Sequence, residues 1–104
     1  MKRPLRESDI EKYLVKQVKA SSGEVRKCQW IGRRGAPDRL AMLPGVIHPL
    51  SRRVLCDPRT IWIELKAPGV KPEAHQLREH VRMRKMGQRV EVVDSFARVD
   101  EVLS

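Results

Sequence analysis

The chain has 104 residues, enough for one hydrophobic core and too few for two, so a single domain over residues 1–104 is expected. Lys and Arg number 22 against 13 Asp and Glu, and a formal net charge of +9 favours a polyanionic partner, because neutralising phosphates releases counterions. An aromatic content of 4% and two well-separated cysteines, Cys28 and Cys56, argue against a base-stacking platform, a zinc site and a disulfide framework. No apolar run has the length of a membrane span, and Met1-Lys2-Arg3-Pro4 lacks the apolar segment of a secretory signal. The expected setting is the cytoplasm, with no membrane partner.

Ser8-Asp9-Ile10-Glu11 reads as a helix start, with Ser8 as N-cap and Glu11 closing a capping box. Ile10, Tyr13, Leu14 and Val18 follow at helical spacing, and Gly23 is the stop. Lys12, Lys16 and Lys19 project from the other side, as a solvated face or as a track for a phosphate backbone. Glu24 to Ile31 alternates weakly and predicts a strand with Val25, Cys28 and Trp30 as core positions. Gly32-Arg33-Arg34-Gly35-Ala36-Pro37 then reads as a loop, either a solvated turn or a phosphate-gripping segment whose charge Arg39 extends.

Leu40 to Leu43 is a short apolar strand ended by Pro44-Gly45. The stretch from Gly45 to Arg59 is long for a hairpin loop, and its Val46, Ile47, Leu50, Val54 and Leu55 fit either an extra strand or a covered subunit interface. Thr60 to Lys66 predicts a strand with Ile61, Ile63 and Leu65 on one face and Trp62, Glu64 and Lys66 on the other. After the turn at Ala67-Pro68-Gly69, Pro72 suits the first position of a helix whose inward residues are Ala74, Leu77, Val81 and Met83 or Met86, stopped by Gly87. His75, Arg78, Arg82 and Lys85 make a basic stripe along it. Arg89 to Val93 is a strand, so the preceding strand and helix form a βαβ crossover with parallel pairing, and Ser95 caps a last helix carrying Phe96, Val99, Val102 and Leu103. The order αβββαβα predicts an α/β fold, a mixed sheet flanked by helices.

Antiparallel pairing of the two central strands brings the start of one beside the end of the other, so Asp38 meets Glu64 and Lys66. Two carboxylates and an ammonium at one end of a hairpin suit a divalent cation and a water poised to attack phosphate. A pure polyanion binder has no use for such acids. His48, His75 and His80 show no metal-ligand spacing on one face.

Gly35-x-Pro37-Asp38-Arg39-Leu40, Ile63-Glu64-Leu65-Lys66-Ala67-Pro68-Gly69, Gln76 and Gly87-x-x-Val90-x-Val92-Val93 together resemble the VRR-NUC nucleases, the virus-type replication and repair branch of the PD-(D/E)xK superfamily. The likeness runs from Glu7 to Leu103 and is to the small free-standing phage and bacterial members; the lengthened Gly45 to Arg59 loop departs from it. The resemblance implies a restriction-endonuclease-like core and a Mg²⁺- or Mn²⁺-dependent deoxyribonuclease. Asp38, Glu64 and the main-chain carbonyl of Leu65 would then be metal ligands, with Lys66 acting on the attacking water. Glu11 would match the family's acid on the first helix, in competition with its capping role and with Glu7 as nearest substitute, and Gln76 would support Lys66 or a phosphate. Arg33, Arg34, Arg39, Arg78 and Arg82 are the candidate DNA-binding residues. Relatives of this kind imply a homodimer acting on branched DNA, such as four-way junctions or flaps, in replication, recombination or repair. The alternative is a basic DNA-binding accessory protein with a vestigial site.

Overall fold

A computed structural model describes residues 3–104; Met1 and Lys2, which open the N-terminal stretch without an apolar signal segment, lie outside the described residues. Helix α1 spans Glu7–Ala20, and Arg6 rather than Ser8 stands at its N-cap. The Asp9 carboxylate accepts from the Arg6 backbone N–H at 2.8 Å and takes both Nη groups of Arg3 at 2.7 Å. A charged acceptor clamped in the first turn caps more strongly than a serine hydroxyl, so the helix begins before Ser8 and Glu11 is free of capping duty. Ile10, Leu14 and Val18 are fully buried, as their spacing predicts. The chain leaves α1 through Gly23, where a Cβ would run into the Met42 carbonyl.

Four strands form the main sheet in the order β1-β2-β5-β6: β1 Glu24–Lys27, β2 Arg39–Leu43, β5 Arg59–Leu65 and β6 Val90–Val93. β1, β2 and β5 pair antiparallel, and the predicted crossover through α2 (Ala74–Lys85) makes β5 and β6 parallel, with Glu64 beside Val92 and Leu65 beside Val93. One sheet face carries Ala41, Leu43, Ile61, Ile63, Leu65 and Val93 into a core with Ile10, Leu14 and Val18 of α1 and Val99 and Val102 of α3 (Phe96–Leu103). Ser95 caps α3 as expected, its hydroxyl accepting from the Arg98 N–H at 3.0 Å. Ile63 is fully buried at the middle of this core. Ile63→Ala is therefore expected to cost about 2–5 kcal/mol, read as a lowered midpoint in urea unfolding.

Two local expectations are corrected, and the stretch for which the sequence allows an extra strand or an interface forms strands. β1 stops at Lys27, leaving Cys28 half-buried and Trp30 37% exposed, because the chain turns there to carry the indole onto Pro37. The Gly45 to Arg59 stretch folds back as a separate antiparallel pair, β3 Val46–Ile47 and β4 Val54–Cys56, with Val46, Ile47, Leu50, Val54 and Leu55 all exposed. Helix α2 spans Ala74–Lys85 with Glu73 at its N-cap and Pro72 outside, and it buries Glu79, His80 and Met83 while Leu77 and Val81 are each 48% exposed. Its polar residues face inward because the surfaces it covers, Glu64 on the sheet and the Arg33 loop, are themselves polar and offer partners. Met86 and Ala74 are likewise exposed. Among the described residues no helix is long and apolar enough to cross a membrane.

Candidate active site

The register that pairs Arg39 with Ile63 sets Asp38, one residue earlier, across from Glu64 at the end of β5. Two backbone clamps fix Asp38: the Cys28 N–H donates to its carbonyl at 2.8 Å, and the Trp30 Nε1–H donates to the carbonyl of buried Pro37 at 2.7 Å. Trp30 is itself packed on Trp62 of β5, ring centroids 5.1 Å apart. The incoming loop is pinned at Gly35, whose φ of +87° and contact with the His75 carbonyl, 2.9 Å from where a Cβ would sit, exclude any side chain. Lys66 follows β5 directly, its backbone N–H bonded to the Val93 carbonyl at 3.0 Å.

Glu64 is 8% exposed. Burial pushes its carboxyl up to about 7; the Lys66 ammonium opposes the rise, and the charges of Asp38 and Glu7 add to it. His80, fully buried on α2, places Nε2 3.2 Å from Glu64 Oε1, while its Nδ1 has no partner among the described residues. Burial lowers the His80 pKa, so the imidazole is neutral, and in the tautomer protonated at Nε2 it donates to the ionised carboxylate. One oxygen of Glu64 is thereby oriented and the other left open. Among the described residues no three His, Cys, Asp or Glu side chains close around a point fit for a metal ion. Asp38 and Glu64 still make a fitting donor set, since Mg²⁺ is commonly held by one or two carboxylates with water and phosphate oxygens completing the shell, and a cation would stabilise the buried Glu64 carboxylate in its charged form.

No family model matches the chain. It is similar to a solved structure described as a VRR_NUC domain, with a TM-score of 0.71 and 39% identity over 93% of this chain and 92% of that one. It is also 43% identical over 93 residues to "Putative nuclease p44" of Acyrthosiphon pisum secondary endosymbiont phage 1, covering 89% of this chain and 87% of the relative. The chain belongs to the VRR-NUC nuclease family.

Within this VRR-NUC fold the other predicted residues divide sharply. Glu11 accepts from Arg39 Nη2 at 2.7 Å, and Arg39 Nη1 lies 2.8 Å from Asp38 Oδ1 as an ion pair without hydrogen-bond alignment. Arg39, its side chain 11% exposed, thus bridges two acids instead of facing solvent with the other arginines. The α1 carboxylate whose charge bears on Glu64 is Glu7, one turn before Glu11. Gln76 uses its side-chain oxygen to accept from the Glu73 N–H at 2.8 Å, capping α2. Leu65 is buried at the end of β5. Arg33, Arg34, Arg78 and Arg82 gather between the loop and α2, around the buried Glu79. Nothing in the sequence pattern assigns Glu79, His80 or Trp30 to the site; each is found only through the side chain it touches.

Proposed function

We propose that this VRR-NUC nuclease is a Mg²⁺- or Mn²⁺-dependent deoxyribonuclease that hydrolyses phosphodiester bonds. The observation that carries the reading is the convergence of Asp38, Glu64 and Lys66, with Glu64 held partly protonated near neutrality by burial and neighbouring acids. Asp38, Glu64 and the main-chain carbonyl of Leu65 would hold the metal, which when bound polarises the phosphate and lowers the pKa of water. Lys66 orients the attacking water and offsets the negative charge developing on the phosphoryl oxygens. Glu64 receives Oε1 orientation from His80, and Arg39 keeps Asp38 and Glu11 in place by charge.

On α1 the reading favours Glu7 over Glu11 as the acid that assists the metal or its water, because Glu11 is tied to Arg39. Glu7→Gln is expected to lower single-turnover cleavage by about 10–100-fold, and Glu11→Gln by less. The reverse ranking would return the role to Glu11.

A branched substrate, such as a four-way junction or flap, and a cytoplasmic homodimer working in phage or bacterial replication, recombination or repair complete the reading. The phage relative supports the phage setting, and the branched substrate and the homodimer are what the likeness to small free-standing members implies. The test is a labelled panel of linear duplex, flap, fork and four-way junction, incubated with Mg²⁺, Mn²⁺ or chelator, beside light scattering for mass. Cutting that depends on the metal and favours the branched members is the expected result. Salt-sensitive binding with no cutting anywhere on the panel would leave an accessory DNA-binding role instead.

A further inference from the structure

The loop carrying Arg33 and Arg34 and the side of α2 that faces it form a cavity of about 210 Å³ lined by Arg33, Arg34, His75, Arg78, Glu79 and Arg82. Its floor is a single carboxylate. Glu79 is 3% exposed, and both its oxygens accept from Arg33 Nη2 at 2.8 Å while one also accepts from Arg82 Nη2 at 2.9 Å. Those two guanidiniums are held in fixed orientation by a buried acid. Arg34 and Arg78 have no side-chain hydrogen bond or ion pair among the described residues. Four guanidiniums against one carboxylate leave three uncompensated positive charges around a small concave space. Such crowding is unfavourable in the free protein and is relieved by an external anion.

Position ties this cavity to the active site. Arg33 lies five residues before Asp38 on the same loop, and that loop is locked to α2 at Gly35. On α2, successive residues serve the two places: Glu79 holds the arginines and His80 holds Glu64. A group seated in the cavity is therefore set at a fixed offset from the carboxylates that face the scissile bond.

We propose that this cavity is a binding site for one internal phosphodiester group of the substrate strand, away from the bond being cut, and that Glu79 is the positioning residue that organises it. The proposal rests on DNA being the substrate. It explains why an acid lies buried inside a polyanion-binding surface: without it Arg33 and Arg82 would be flexible charges rather than a preformed fork.

The experiment measures fluorescence anisotropy of a labelled 20-mer duplex in chelator across a KCl series, for the wild type and four variants. Arg34→Ala and Arg78→Ala are each expected to weaken binding by about 3–10-fold and to reduce the salt slope by roughly one, whereas Arg53→Ala, on the exposed β3–β4 hairpin, does neither. Glu79→Gln raises the net charge yet is expected to bind several-fold more weakly. Equal losses for Arg34→Ala, Arg78→Ala and Arg53→Ala would overturn the site, because a diffuse charge cloud behaves that way, and so would a folded Glu79→Gln that binds as tightly as wild type. If Glu79→Gln fails to fold, the three arginine variants decide alone. Losses seen only on 5′-phosphorylated duplex would overturn the internal assignment in favour of a terminal phosphate. Metal-dependent cutting by wild type with unchanged binding in every variant would remove the cavity and keep the nuclease; weakened variants of a protein that never cuts would do the opposite.

Discussion

Lys66→Met is expected to reduce the single-turnover cleavage rate at saturating Mg²⁺ by at least about 100-fold while leaving DNA affinity in chelator within about threefold. Methionine keeps an apolar stem like that of lysine without the ammonium, and the backbone bond from residue 66 to the Val93 carbonyl does not depend on the side chain, so the end of β5 should stay in place. What goes is the ammonium beside Glu64. That charge opposes the upward shift of the Glu64 carboxyl, and in the proposed mechanism it acts on the attacking water and the phosphate. Lys66→Arg separates the roles, because arginine retains the charge and cannot give up a proton at accessible pH. Recovery of most of the rate in Lys66→Arg would assign Lys66 to charge stabilisation, and no recovery would assign it to water activation or to exact placement of the donor. Unchanged cleavage in Lys66→Met would remove the lysine from the mechanism altogether.

The parts of this protein legible from sequence are those in which the local pattern and the packing agree. Ile61, Ile63 and Leu65 alternate with Trp62, Glu64 and Lys66, and the alternation alone assigns faces; once β2 and β5 are antiparallel neighbours, Asp38 must meet Glu64. The same reasoning fails on α2. Leu77 and Val81 have the spacing of a buried stripe, yet the helix turns Glu79 and His80 inward, because an arginine loop on one side and a carboxylate on the other repay buried polar groups with hydrogen bonds. Periodicity counts apolar residues and cannot see a polar interior. Glu11 shows a different ambiguity: capping, metal binding and pairing with Arg39 all call for a carboxylate there, and only the position of the guanidinium across the chain decides that Arg39 takes it. In the Gly45 to Arg59 hairpin nothing within the sequence reports whether the apolar side chains are covered; in the structure the stretch pairs with itself and they are exposed.

The second large effect is a pH-dependent stability in the metal-free protein that a divalent cation reverses. Folding raises the Glu64 carboxyl from an ordinary 4.5 to about 7, chiefly by burial. Between those values the folded protein keeps a proton that the unfolded chain has released, so stability is lost as pH rises through this window, by about 3 kcal/mol once pH exceeds the upper value. For a domain of this size each kcal/mol shifts the melting temperature by about 4–8 °C. His80, whose pKa burial lowers, tilts stability the other way as pH falls, so the quantity to follow is the difference between wild type and Glu64→Gln. In chelator Glu64→Gln is expected to be the more stable protein at pH 8, with the gap closing towards pH 5. Mg²⁺ or Mn²⁺ competes with the proton for the carboxylate, so its addition should raise the wild-type melting temperature more at pH 8 than at pH 6 and leave Glu64→Gln nearly unmoved. A melting temperature for wild type that ignores the cation at every pH would sink the metal role of Glu64 even if the chain cuts DNA. The site is less stable when charged because burial strips water from the Glu64 carboxylate, a cost that the Lys66 ammonium offsets in part and the charges of Asp38 and Glu7 increase.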